Sequence, residues 1–88
     1  MIAVVFVDEA QRSIAEAFLP ATNWRADGGG RVYWAYKVDR AEALVFQDDL
    51  SGRPLVEVRA FDTIKEARDW VLADMRQRAP FPVSRRVQ

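Results

Sequence analysis

The segment between residues 55 and 61 alternates apolar and charged positions, which is the pattern of a half-buried strand. We expect its apolar side to face the core and its charged side to face solvent. The residues predicted on the core side are Val56, Val58 and Ala60, and those predicted on the solvent side are Glu57 and Arg59.

A helix is predicted directly after this strand, over residues 64–78. Thr63 and Glu66 form a capping-box pair, because each side chain can accept a hydrogen bond from the other residue's backbone amide. Apolar residues then recur at spacings of three and four, which places them on one side of the helix. These residues are Ile64, Ala67, Val71 and Met75.

The beginning of the chain predicts another strand followed by another helix. The uninterrupted apolar run from Ile2 to Val7 is expected of a central strand or of a strand covered on both faces. Asp8 can cap the helix that follows, and Pro20 closes it. We prefer this interpretation of Asp8-Glu9 to a paired-carboxylate metal or acid–base site.

The segment between Pro20 and Arg31 is the least regular part of the chain, and a short extra strand around Trp24 is one interpretation of it. The three glycines Gly28 to Gly30 invite comparison with a phosphate-binding loop. Such loops open a helix and carry a Lys-Ser/Thr pair, whereas these glycines precede a strand pattern and lack that pair. We therefore interpret them as a hairpin turn.

Alternating apolar positions predict two more strands in the middle of the chain. The first covers residues 32–38, and the second covers residues 43–47 with Leu44 and Phe46 toward the core. The predicted fold class is therefore α+β, with the element order β-α-β-β-β-α. We expect an antiparallel sheet of four strands, or five if Trp24 lies in a strand, with two helices packed on one face.

We expect a single α+β domain over residues 1–79 and an extended basic C-terminal tail over residues 80–88. Pro80 and Pro82 cannot continue a helix, which favours an extended end. Four arginines follow the last acidic residue, Asp74. They indicate either an anion-seeking tail or the ordinary preference of cations for a helix C-terminus followed by an unstructured end.

The composition narrows the classes of function. The 88 residues include no His and no Cys, which removes the most common general base, nucleophile and soft metal ligands. We expect no enzymatic activity and no cofactor or metal. Thirteen basic and thirteen acidic residues cancel, which disfavours a general nucleic-acid-binding protein. The lack of a membrane-length apolar run and of cysteine suits a cytoplasmic protein.

What remains is binding through the protein surface. The predicted outer face of the sheet combines aromatic and arginine side chains, which are enriched in protein contacts. The predicted partner-binding residues come from this face, from the irregular segment and from the arginine-rich end. They are Trp24, Arg31, Tyr33, Lys37, Arg59, Arg76, Arg85 and Arg86.

The segment from Gly52 to Trp70 resembles two known groups of proteins. Its glycine turn, its strand ending in Arg59-Ala60-Phe61-Asp62 and its helix with a tryptophan are similar to small phage anti-CRISPR inhibitors of type I systems. Its Phe-x-Thr strand end and the Glu-Ala and Trp of its helix are similar to the arm-type DNA-binding module of phage integrases.

Each resemblance implies a function. The first implies a non-enzymatic inhibitor that occupies a CRISPR effector subunit or its nucleic-acid-binding surface. The second implies a sheet that reads DNA through Tyr33, Lys37 and Arg59. Our first hypothesis is an anti-CRISPR-like inhibitor of a protein partner, acting through its exposed sheet face and loops. A nucleic-acid-binding module is the second hypothesis, and a homodimeric structural or regulatory protein is the third.

Overall fold

The computed structural model describes residues 1–51, 53 and 55–78. The predicted basic tail, with Arg85 and Arg86, lies outside the described residues. The strands are β1 (Ile2–Asp8), β2 (Arg25–Gly28), β3 (Arg31–Lys37) and β4 (Glu57–Phe61). The α-helices are α1 (Arg12–Glu16), α2 (Arg40–Leu50) and α3 (Ile64–Arg78), and a short 3-10 helix (Glu9–Gln11) precedes α1.

The four strands form one antiparallel sheet in the order β2-β3-β1-β4. The predicted α+β class and the antiparallel four-stranded sheet are therefore confirmed. The apolar strand β1 lies in the interior of the sheet, and residues 3–7 of this strand are all buried. Its uninterrupted apolar run is explained by this position, since both of its faces are covered.

The two faces of the sheet carry different helices. Val4, Phe6 and Tyr33 pack with Ala67 and Val71 of α3 in one core cluster. On the opposite face, Val7, Val32 and Trp34 pack with Ala15 of α1 in a second cluster. The prediction that both helices pack on one face is therefore wrong. The physical reason lies in β1. Successive side chains of a strand point to opposite faces of the sheet, so a run with an apolar residue at every position needs a helix on each face.

The predicted strand at residues 43–47 is also wrong, because this segment lies inside helix α2. Asp39 and Glu42 form a capping box at the start of the helix: the Glu42 amide donates to Asp39 Oδ1 at 2.8 Å, and the Asp39 amide donates to Glu42 Oε2 at 2.9 Å. Ala43 and Leu50 then face the core, and Phe46 contacts the Tyr36 ring at 5.0 Å between centroids. The alternation of Leu44 and Phe46 is too short to indicate a strand.

The structure confirms the predicted glycine turn and the predicted capping box of α3, but not the predicted cap at Asp8. Gly29 and Gly30 have φ angles of 62° and 80° in the turn between β2 and β3, which confirms the hairpin turn. Thr63 and Glu66 form the predicted capping box at α3. Asp8 makes no capping hydrogen bond. Its carboxylate lies instead 3.5 Å from an Arg78 nitrogen, an attraction that the local sequence does not reveal.

Candidate binding cleft

Helix α3 covers the face of the sheet on which Tyr33 lies. Tyr33 is completely buried, and its hydroxyl donates a hydrogen bond to Asp74 of α3. The prediction that Tyr33 lies on an outer, partner-binding face is therefore wrong. Alternation along β3 suggests one buried and one solvated side, whereas helices cover both sides of this strand.

The neighbouring arginines are held by contacts within the protein. Arg31 Nη1 lies 2.9 Å from Asp74 Oδ2, and its guanidinium lies 4.9 Å from the centre of the Phe6 ring. The Arg59 guanidinium lies 5.1 Å from the centre of the Trp70 ring. Arg59 is nonetheless exposed. Its side of β4 is not the solvent side that the sequence predicted, because Arg59 pairs with Val4 on the face against which α3 packs. These interactions join the sheet to α3, so they have a structural role whatever else these side chains contact.

Two of the predicted partner-binding residues, Trp24 and Lys37, line the same cleft. They line an open cleft of about 480 Å³ between the β2–β3 side of the sheet and the start of α3. Arg76 lies in the last turn of α3 and does not line this cleft. The apolar lining consists of Met1, Ile2, Trp24, Ala35 and Ile64. The polar lining consists of Thr22, Asn23, Lys37 and Asp62.

The register of the sheet brings these residues together. Ile2 pairs with Lys37 of β3 on one side and with Phe61 of β4 on the other. Asp62 follows Phe61 directly, so the ends of two strands that are distant in sequence frame the same opening. Helix α3 then begins at Ile64, whose exposed fraction is 44% and which contributes an accessible apolar side chain.

Trp24 is held in place by the loop before β2. The Thr22 hydroxyl donates to the Ala35 carbonyl, and the Trp24 amide donates to Thr22 Oγ1 at 3.3 Å. The Ala35 amide also donates to the Trp24 carbonyl at 3.3 Å, which extends the β2–β3 pairing by one residue beyond the start of β2. Trp24 therefore lies directly before β2 and packs partly into the core. The extra strand expected in this segment is present, but the sheet has four strands and not five, because residues 43–47 are helical.

The strongly perturbed titratable groups lie outside the cleft. Burial and the hydrogen bond to Asp74 raise the pKa of Tyr33 well above its usual value. Burial raises the pKa of Tyr36 to about 12, and its hydroxyl donates to the Pro20 carbonyl at 2.6 Å. Both phenols act in packing. The cleft is therefore defined by its shape, its apolar surface and two opposite charges, those of Lys37 and Asp62.

Sequence periodicity places Ile64 on the apolar side of α3, but it does not bring Ile64 together with Met1, Thr22 and Asp62, which lie at the terminus or in connecting segments. Only the pairing of β1 with both β3 and β4 makes them neighbours.

Comparison of the chain with protein-family models, with curated proteins and with solved structures found no match. Among the described residues, no helix combines the length and the apolar character that crossing a membrane requires.

Proposed function

We propose that this protein is a small, non-enzymatic binding protein that inhibits a protein partner by engaging it at the cleft beside Trp24. The observation that carries the proposal is the meeting of Trp24, Lys37 and Ile64 around one concave apolar surface. Tryptophan in a pocket with a charged rim is a frequent anchor of protein interfaces. The lack of cysteine agrees with a protein that acts in the cytoplasm.

The shape of the cleft favours a protein partner over a metabolite. Small-molecule sites usually enclose most of their ligand, and a wide opening leaves much of a small molecule in water. An open cleft of about 480 Å³ suits a projecting apolar side chain of a larger partner, which stays anchored by contacts around the rim. Lys37 and Asp62 on the lining can pair with polar groups beside that side chain.

The charge arrangement favours a protein partner over nucleic acid. Several arginines in the described part of the chain are paired with carboxylates and are thereby partly neutralised. Arg12 lies 2.7 Å from Glu9, and Arg25 lies 3.2 Å from Glu16. Arg31 is paired with Asp74 in the same way.

The resemblance of residues 52–70 to anti-CRISPR inhibitors supplies the first partner to test, a type I CRISPR effector complex. The tagged full chain is immobilised, nuclease-treated effector complexes are applied, and the affinity of any retained complex is measured. We expect Lys37→Glu and Ile64→Asp each to weaken binding about tenfold, since a contact worth roughly 1.4 kcal/mol is lost. Both substitutions are at surface positions, and Asp is favourable in the first turn of a helix.

Lys65→Glu is the matched control, because Lys65 is an exposed lysine of α3 that does not line the cleft. It should bind as the unmodified chain does, and thermal unfolding should verify that all variants fold. Retention that is equal for every variant would show that the cleft is not the contact. A failure to retain any effector complex would reject this class of partner.

A further inference from the structure

Helix α2 has apolar side chains on its solvent-exposed side as well as on the side that faces the core. Ala43 and Leu50 are buried, whereas Leu44 and Val45 have exposed fractions of 63% and 59%. Ala41 lies one helical turn before Leu44 and Val45 and is also exposed. The outer side of α2 is therefore an apolar ridge, where a solvated helix usually carries polar residues.

Acidic residues lie along one side of this ridge, and Arg40 lies beside Leu44 on the other. The segment from Asp39 to Leu50 contains four acidic residues and one basic residue, which gives a net charge of −3. A groove of about 390 Å³ runs beside the ridge, where Val38, Val45 and Phe46 form its apolar floor. Three of the acidic residues, Asp39, Glu42 and Asp49, line the same groove.

We propose that the outer side of α2 is a docking surface for a basic amphipathic helix of a protein partner. Apolar residues at positions 41, 44 and 45 of the chain form a ridge that packs against the apolar stripe of another helix. Lysines or arginines beside that stripe complement the acidic rim. This proposal goes beyond the function assigned to the cleft, because it uses a different element and specifies the charge of the partner.

The same charges disfavour a second copy of this chain as the occupant. A symmetric contact between two α2 helices would place two segments of net charge −3 against each other. Like charges in such a contact repel, and the repulsion is strongest where water is excluded. The occupant is therefore a helix of opposite charge.

The test uses the isotopically labelled full chain and a synthetic amphipathic helical peptide of leucine and lysine. We expect saturable amide chemical-shift changes confined to α2 and its groove, and an affinity that falls as salt is added. A matched peptide of leucine and glutamate should not bind. The double variant Leu44→Ser/Val45→Ser should bind about tenfold more weakly, since it removes the apolar ridge.

A second double variant, Asp48→Lys/Asp49→Lys, keeps Leu44 and Val45 and changes the net charge of the segment from Asp39 to Leu50 from −3 to +1. It too should lose affinity for the basic peptide. Leu72→Ser on α3 is the matched control, because Leu72 is 49% exposed but lies on another helix. It should bind normally. The proposal is overturned if the shifts map to α3, if the acidic peptide binds equally well, or if the free protein dimerises through Leu44.

Discussion

At the scale of single residues, Tyr33 was predicted to contact a partner, but its side chain is buried and packs between the sheet and α3. Its ring packs against Phe6 and Trp70, with ring centroids 5.9 and 6.2 Å apart. Its hydroxyl shares Asp74 with Arg31, so a strand residue and a helix carboxylate hold α3 on the sheet. A buried phenol with a charged acceptor is a costly group to disturb, because either partner left alone would be unsatisfied.

The two tyrosines predict a loss of stability at alkaline pH. Tyr33 and Tyr36 both have a raised pKa in the folded protein, to about 12 for Tyr36, whereas an unfolded tyrosine ionises near pH 10. Below about pH 10 both states are protonated, and the stabilisation is fully present. As the pH rises above about 10 only the unfolded chain releases protons, so the free energy of unfolding should fall until the folded phenols ionise.

Urea unfolding at a series of pH values around 10 measures this slope, and tyrosinate absorbance follows ionisation directly. Tyr36→Phe should make the slope shallower, and the double variant Tyr33→Phe/Tyr36→Phe should remove the tyrosine contribution. Lys65, whose pKa is raised by its hydrogen bond to Asp69, contributes to alkaline titration in every variant and so cancels in the comparison. Tyrosinate absorbance in the folded protein that appears near pH 10 would contradict the prediction.

At the scale of secondary-structure elements, α2 depends on a signal at its start and not on its apolar pattern alone. The Asp39–Glu42 capping box satisfies two amides that would otherwise lack partners at the start of the helix. Core contacts then come from a small set of residues on one side of the helix. The sequence carries this capping box as clearly as the one at Thr63, and the alternation of Leu44 and Phe46 after it is too short to outweigh that signal.

Asp39→Ala should therefore lower the free energy of unfolding by about 1 kcal/mol, because the capping hydrogen bond to the Glu42 amide is lost. Urea unfolding of the full chain gives the value. Asp48→Ala near the end of the same helix is the control, and it should be neutral or slightly stabilising, since an acidic residue is unfavourable at a helix C-terminus. Equal losses from the two variants would mean that the cap does not hold this helix.

At the scale of the whole molecule, pairs of opposite charges join elements that are distant in sequence. Arg12 of α1 lies 3.1 Å from Asp27 of β2, while Arg78 at the end of α3 lies 3.5 Å from Asp8 at the end of β1. Exposed pairs of this kind contribute little to stability, but they neutralise arginines that could contact phosphates.

This arrangement predicts that the full chain does not bind duplex DNA, even at low ionic strength. Fluorescence anisotropy of a labelled duplex measures the interaction directly. Binding that weakens steeply with added salt would contradict the prediction and support the nucleic-acid hypothesis. In that case Arg85→Ala/Arg86→Ala would identify the part played by the C-terminal arginines.

The sequence by itself determined the class of the fold and several of its local features. The glycine turn and the Thr63 capping box depend on interactions within a few residues, and both were predictable for that reason. The apolar run of β1 was predictable because an uninterrupted run is typical of a strand covered on both faces. The absence of His and Cys likewise limits the chemistry open to the protein, because the available side-chain groups follow from composition alone.

Only the tertiary structure decided which faces are buried and where a partner can bind. Alternation shows that a strand has two different sides, but it does not show whether a helix covers the second one, as α3 covers Tyr33. The cleft beside Trp24 depends on the register that places Lys37 and Phe61 on either side of Ile2. Contacts between distant parts of a chain follow from strand order and packing, which local patterns do not specify.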